Sequence, residues 1–193
     1  MKDLPGATID EAGRSLVHRW GSDPALGSLP VQLVESVREV FEDSGLVLTR
    51  PAVREVESVD YGACRLEIDD RSIAFRVAKT TPTKVGQFVT IWTRADPESE
   101  IAPFDTTDSI RSIVIAAFDK DHRGLFIFNR QELVRRGIMS IEGRGGKRAI
   151  RVYAPWVQVG SKQAVQTKRW QVGSFVQIQP RISFTPDLLR RLL

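Results

Sequence analysis

YGACRLEIDDRSIAFRVAK, residues 61–79, repeats every second residue, whereas the chain before it repeats every third or fourth. Cys64, Leu66 and Ile68 interleave with Arg65, Glu67 and Asp69; beyond the turn at Asp69, Asp70 and Arg71, Ile73, Phe75 and Val77 interleave with Ser72, Ala74 and Arg76. A period of two on both sides of a polar turn predicts a β-hairpin with one apolar face. Further strands are predicted at residues 86–94, 112–118, 125–128 and 149–153, most of them joined by short polar loops. Upstream, Pro30 opens a segment in which Val31, Val34, Val37, Val40 and Phe41 recur at helical spacing and which Gly45 stops. Helices are also predicted at 130–136, ended by Gly137, at 161–170, and at the C-terminal end, where Thr185, Pro186 and Asp187 can cap LLRRLL. The pattern predicts an α+β fold with a mostly antiparallel central sheet flanked by helices.

At 193 residues the chain suits one domain, predicted over residues 29–193, preceded by a loosely ordered N-terminal arm, 1–28, interrupted by Gly6, Gly13, Gly21, Pro24 and Gly27. The single cysteine excludes an intrachain disulfide. No apolar run approaches the ~20 residues of a membrane helix, and MKDLPGATIDEAGRS lacks the apolar stretch of a secretion signal, so a cytoplasmic location is expected. The net charge of +4 is unevenly spread: residues 1–96 hold 12 bases and 15 acids, residues 97–193 hold 16 and 9. Between 135 and 170 nine bases face only Glu142, and residues 71–95 carry five bases and no acid. Brought to one face, these stretches form a field that attracts nucleic acid or anionic ligands; scattered, they are solvated charge.

The chemistry open to such a chain is narrow. His18 and His122 are far apart and have no partner at ligand spacing, which argues against zinc. Cys64 falls on an apolar strand face, the place of a small buried side chain. GRGGKR, residues 143–148, lacks the spacing of a nucleotide-phosphate loop and precedes a strand; it reads as a flexible basic hairpin tip. Strand parity places Asp60 and Lys79 together at the open end of the hairpin. An acid beside a lysine at strand ends serves metal-dependent phosphodiester cleavage, with Asp60 on Mg²⁺ and Lys79 on the water or phosphate, but it also makes an ordinary ion pair. In FRVAKTTPTKVGQFVTIW, residues 75–92, Lys79 and Lys84 bracket four hydroxyl- and proline-rich positions, a combination that can hold phosphate oxygens.

YGACRLEI, FRVAKTTPTKVGQFVTIW, APFD, KRAIRVYAPW and SKQAVQTKRWQ, in this order over roughly residues 58–175, resemble the MepB-like family of small bacterial proteins. The resemblance implies a restriction-endonuclease-like, PD-(D/E)XK-type scaffold and nucleic-acid binding. It makes residues 61–79 the core hairpin, Asp60 the first acid and metal ligand, and Lys79 the motif lysine, with Val77 standing where the second carboxylate belongs. Glu67 lies on the wrong face to replace it, whereas Glu39 or Glu42 of the first helix could supply it. The expected nucleic-acid contacts are Lys79, Thr81, Lys84, Gln87, Arg144, Lys147, Arg148, Arg151, Lys162, Gln163 and Lys168, with Trp156 and Trp170 stacking on bases. The leading expectation is a binding protein without strong nuclease activity, needing no cofactor and taking DNA in preference to RNA. The alternatives are a Mg²⁺-dependent nuclease with rearranged acids, and a module for a small anionic ligand or a protein.

Overall fold

A computed structural model of the chain describes residues 28–94, 98–180 and 184–193, so the expected arm lies outside the described residues but for Ser28. Its centre is a six-stranded sheet in the order β1 (Leu48–Arg54), β2 (Cys64–Ile68), β3 (Arg71–Val77), β8 (Ser112–Phe118), β9 (Arg123–Asn129), β11 (Phe175–Gln179). The predicted hairpin is β2 (Cys64–Ile68) and β3 (Arg71–Val77), paired from Cys64 with Phe75 to Ile68 with Arg71. Asp69 and Asp70 both take positive φ, the backbone of a two-residue turn whose twist matches the strands. β8 (Ser112–Phe118) and β9 (Arg123–Asn129) form a second hairpin.

The sheet is mixed. β3 and β8 pair in parallel, from Ile73 with Ser112 to Val77 with Ala116, while the other four pairings are antiparallel. A parallel pair needs a long crossover, and this one, residues 78–111, carries β4 (Lys79–Thr81), β5 (Lys84–Thr90), β6 (Trp92–Thr93) and β7 (Ala102–Pro103). The strand predicted at 86–94 is therefore two: β5 joins β4 and β10 (Ala149–Val152) in a three-stranded sheet, and β6 pairs with β7. Besides β4 and β7, two strands of the central sheet lie outside the prediction. β1 (Leu48–Arg54) contains Pro51, which an edge strand tolerates because one of its sides needs no ladder bond. β11 (Phe175–Gln179) is the other edge, buried through Val176 and Ile178.

One sheet face is covered by the helical segment α1, which begins as an α-helix (Val31–Ser36), widens to a π-turn (Val37–Phe41) and tightens to 3₁₀ (Glu42–Ser44) before Gly45 ends it at φ 70°. The wide turn lets Val37, Val40 and Phe41 all reach the core with Leu33. α4 (Pro186–Leu192), capped by the Thr185 hydroxyl accepting from the Leu188 N–H, adds Leu189 and Leu192 to the same layer. The opposite face carries the three-stranded sheet, α2 (Arg130–Arg135), and Trp170 of α3 (Lys162–Gln171), around Ile113, Ile115, Phe126, Phe128 and Leu133. Gly137 at φ 59° ends α2 as the sequence predicts, whereas Ser161, predicted as the first residue of the helix, instead caps α3, its hydroxyl accepting from the Ala164 N–H.

Cys64 is fully buried, and burial pushes its thiol up to about 12. A neutral thiol out of solvent is a poor nucleophile. The native protein is expected to resist a disulfide-exchange reagent at pH 8 and to react with one equivalent in denaturant; rapid native labelling would contradict this burial.

Candidate nucleic-acid interface

The hairpin opens onto a cleft of about 700 Å³ lined by Arg54, Asp60, Lys79, Thr80, Gln87 and Asp119, among others. Asp60 stands exposed on a 3₁₀ turn (Val59–Tyr61) between Ser58 and Gly62, both at positive φ. Gly62 lets this turn settle onto the hairpin end, because a Cβ there would come within 2.8 Å of both Pro30 and Val77. Lys79, the first residue of β4, extends over the Tyr61 ring at 5.1 Å. Asp60 and Lys79 thus line one cleft, but Asp60 lies on a 3₁₀ turn before β2 and Lys79 in the smaller sheet, so it is not the hairpin's parity that places them there.

The expected replacements for a carboxylate at Val77 lie elsewhere. Glu39 pairs with Arg123 at 3.0 Å, beside Glu35 at 2.8 Å, Glu67 pairs with Arg50 at 3.4 Å, and neither Glu39 nor Glu42 lines the cleft. The second acid in the lining is Asp119, which the sequence reading missed. It follows β8, the parallel neighbour of β3, so only the crossover brings it to Lys79. Burial opposes its ionisation, but bonds from the N–H groups of Asp121 and His122 and from the His122 ring outweigh that and hold its carboxyl below the usual range. Gln87, expected to contact nucleic acid, is a structural link here: it is 8% exposed and donates to the Phe118 carbonyl and the Thr80 hydroxyl.

A second cleft, of about 600 Å³, lies between the three-stranded sheet and α3. Lys84 of β5, Arg136 after α2, Lys147 before β10 and Arg151 within it line the cleft, together with Gln163 and Trp170 of α3, and no carboxylate among the described residues takes part. Arg136 pairs with Glu132 at 2.8 Å and lies over Trp170 at 4.9 Å. Arg151 crosses β5 to donate to the carbonyls of Lys84, Val85 and Gly86 and to the Thr81 hydroxyl, so Thr81 orients a cation. The wall next to α3 is closed by Gln171, 1% exposed, which accepts from the Tyr153 N–H and donates to the Arg151 carbonyl. It gives the outer edge of β10 the partners a further strand would supply.

Several expected contacts fall outside this groove. Lys168 donates to the carbonyls of Pro155 and Val157, anchoring α3 to the preceding loop. Trp156 packs against the core, stacked on His122 at 4.9 Å and edge-on to Phe175. Arg144, Arg148 and Lys162 are exposed but do not line the cleft. Nor is the GRGGKR turn loosely held. Ile141 and Arg144 exchange backbone bonds, the Gly143 N–H donates to Asp105, and the Lys147 N–H donates to the Ile138 carbonyl. Asp105, in APFD, also accepts from the Ser140 hydroxyl and from Thr107, and these bonds hold its carboxyl well below the usual range. The acid of that motif therefore fixes the basic turn.

These features define an α+β protein with a mixed six-stranded sheet and a smaller sheet, inserted at the parallel crossover, that presents a basic groove. The chain belongs to the MepB-like family, whose model matches residues 55–177. It is similar to a protein of known structure described as MepB, at 32% identity and a TM-score of 0.64, with 75% of this chain and 93% of that chain covered. No curated protein matches it. Among the described residues, no helix is long and apolar enough to cross a membrane.

Proposed function

We propose that this protein binds nucleic acid, DNA in preference to RNA, through the groove between β10 and α3, on a restriction-endonuclease-like scaffold and without strong nuclease activity. The observation that carries the reading is the convergence of Lys84, Arg136 and the Lys147–Arg151 stretch, three separate segments, on one cleft that no carboxylate among the described residues lines. Like charges gathered this way repel one another in the free protein, and polyanion binding relieves that repulsion while releasing counterions. The scaffold reading is supported by the mixed sheet and by Asp60 and Lys79 meeting at the mouth of the β2–β3 hairpin. A cytoplasmic location is part of the same proposal.

The test is duplex binding measured across a salt series. Lys84→Ala and Lys147→Ala are each expected to weaken binding on unrelated sequences and to flatten the slope of log affinity against log salt by about 1. Unchanged slopes in both folded variants would rule out the groove as the binding site.

A second reading is favoured by one observation, two carboxylates and a lysine lining one cleft. Asp60 and Asp119 offer oxygen ligands of the kind that hold Mg²⁺, and Lys79 offers a cation for the scissile phosphate. Cleavage that needs Mg²⁺ or Mn²⁺ and disappears in both Asp60→Asn and Asp119→Asn would promote the nuclease. No products after long incubation with either ion would leave binding alone.

A further inference from the structure

We infer that the outward face of the three-stranded sheet stacks the bases of a single-stranded nucleic acid whose phosphates follow the groove, an inference that rests on the binding reading above. β10, β5 and β4 pair so that Arg151, Phe88 and Lys79 form one row across the sheet. Cross-strand partners project to the same side, so these three share a face. The inward row, Val152 and Gln87 with Ile150 and Val89 beside it, packs toward the core. In the next outward row, Tyr153 lies directly over Gly86: a Cβ at Gly86 would come within 2.6 Å of the ring. Gly86, at φ 79°, lets the ring lie on the strand's backbone.

This face therefore carries half-buried aromatic rings between cations. Tyr61 meets Phe88 edge-on at 6.1 Å, Lys79 lies 5.1 Å from the Tyr61 ring, and the Arg151 guanidinium lies 5.8 Å from Phe88. Neither Lys79, Lys84 nor Arg151 makes an ion pair with a carboxylate among the described residues, and Asp60, next to Tyr61, opens onto the neighbouring cleft. Tyr153, Lys84 and Arg151 also line the groove, so ring face and phosphate track are continuous. Rings set among uncompensated cations match a single strand, whose bases offer free π-faces and whose phosphates need countercharge. In a duplex those π-faces are already covered by neighbouring bases.

The experiment compares fluorescently labelled oligothymidylate, an abasic strand of equal length and a duplex of equal length by anisotropy at fixed salt. The unmodified protein is expected to bind oligothymidylate at least about tenfold more tightly than the abasic strand, the gain of roughly one stacked base. Phe88→Leu and Tyr153→Leu, checked for folding by thermal melting, are expected to remove most of that preference. Equal affinity of the unmodified protein for oligothymidylate and abasic strand overturns the stacking face and spares the groove, and this comparison stands even where a variant fails to fold. A preference that survives in both folded variants also overturns it. Failure to bind any of the three probes overturns the binding reading itself.

Discussion

Arg76→Ala is expected to melt about 6–20 °C below the unmodified protein. Breaking a buried ion pair from one side costs about 3–5 kcal/mol, and each kcal/mol shifts the midpoint of a domain of this size by about 2–4 °C. Arg76 is 1% exposed, pairs with Glu55, donates to the Phe75 carbonyl at 2.8 Å, and lies 5.6 Å from the Phe104 ring. Glu55 also pairs with Arg65 at 2.5 Å, and Arg65 lies 4.9 Å from the same ring. Burial lowers the Arg76 pKa and Glu55 opposes that shift; a guanidinium keeps its proton in proteins, so in the core it depends on that carboxylate. Replacing both partners with apolar groups, Arg76→Met with Glu55→Leu, is expected to recover most of the loss, since Arg65 reaches only Oε1 of Glu55, the buried Oε2 is what loses its cation, and Arg65 is exposed enough to be solvated. Calorimetry of the two variants decides this. A midpoint for Arg76→Ala within about 2 °C of the unmodified protein, less than 1 kcal/mol, would mean that the pair adds little.

Gly124→Ala is expected to lower the midpoint by about 2–12 °C, from an overpacking cost of about 1–3 kcal/mol. Gly124 lies in β9 opposite Gln177 of β11, and a methyl group there would stand 2.1 Å from the Phe175 ring and 2.6 Å from the Val176 carbonyl oxygen. The ring has little room to turn, being edge-on to Phe126 at 4.7 Å and to Trp156 at 5.4 Å. The carbonyl cannot move without shifting β11. Adding Phe175→Ala to Gly124→Ala removes one clash and keeps the other. The double variant should therefore lose less stability than the two single losses added together, a coupling that a double-mutant cycle measures. Strict additivity, or an unchanged midpoint for Gly124→Ala, would show that β11 gives way easily at this point.

Both sites lie where a strand's second face is buried. The alternation of residues 71–77 assigns Ser72, Ala74 and Arg76 to a polar side, and for an edge hairpin that side would face water. β3 instead becomes a central strand, with β8 beside it and the Phe104 segment above, so its polar side is a second interior face. The apolar side of the hairpin was legible because alternation is a property of neighbouring residues. What the other side meets depends on a segment some thirty positions further on.

The sequence by itself determined the local elements: the two hairpins with their turns, the stops at Gly45 and Gly137, the cap at Thr185, the burial of Cys64, and the concentration of positive charge after residue 135. Each rests on backbone preferences or side-chain periods that act within a few residues. The tertiary structure alone decided that β3 and β8 run parallel, that Pro51 sits in an edge strand, and that Glu39 serves Arg123. It also decided which cations face one cleft: Arg151 reaches the Lys84 carbonyl across 67 positions, Asp119 meets Lys79 through the crossover, and Lys168, equally basic in sequence, is used up on two carbonyls. Charge along a chain carries no direction. Direction comes from strand pairing and from bonds between distant segments, and those depend on which surfaces can bury one another in the whole chain at once.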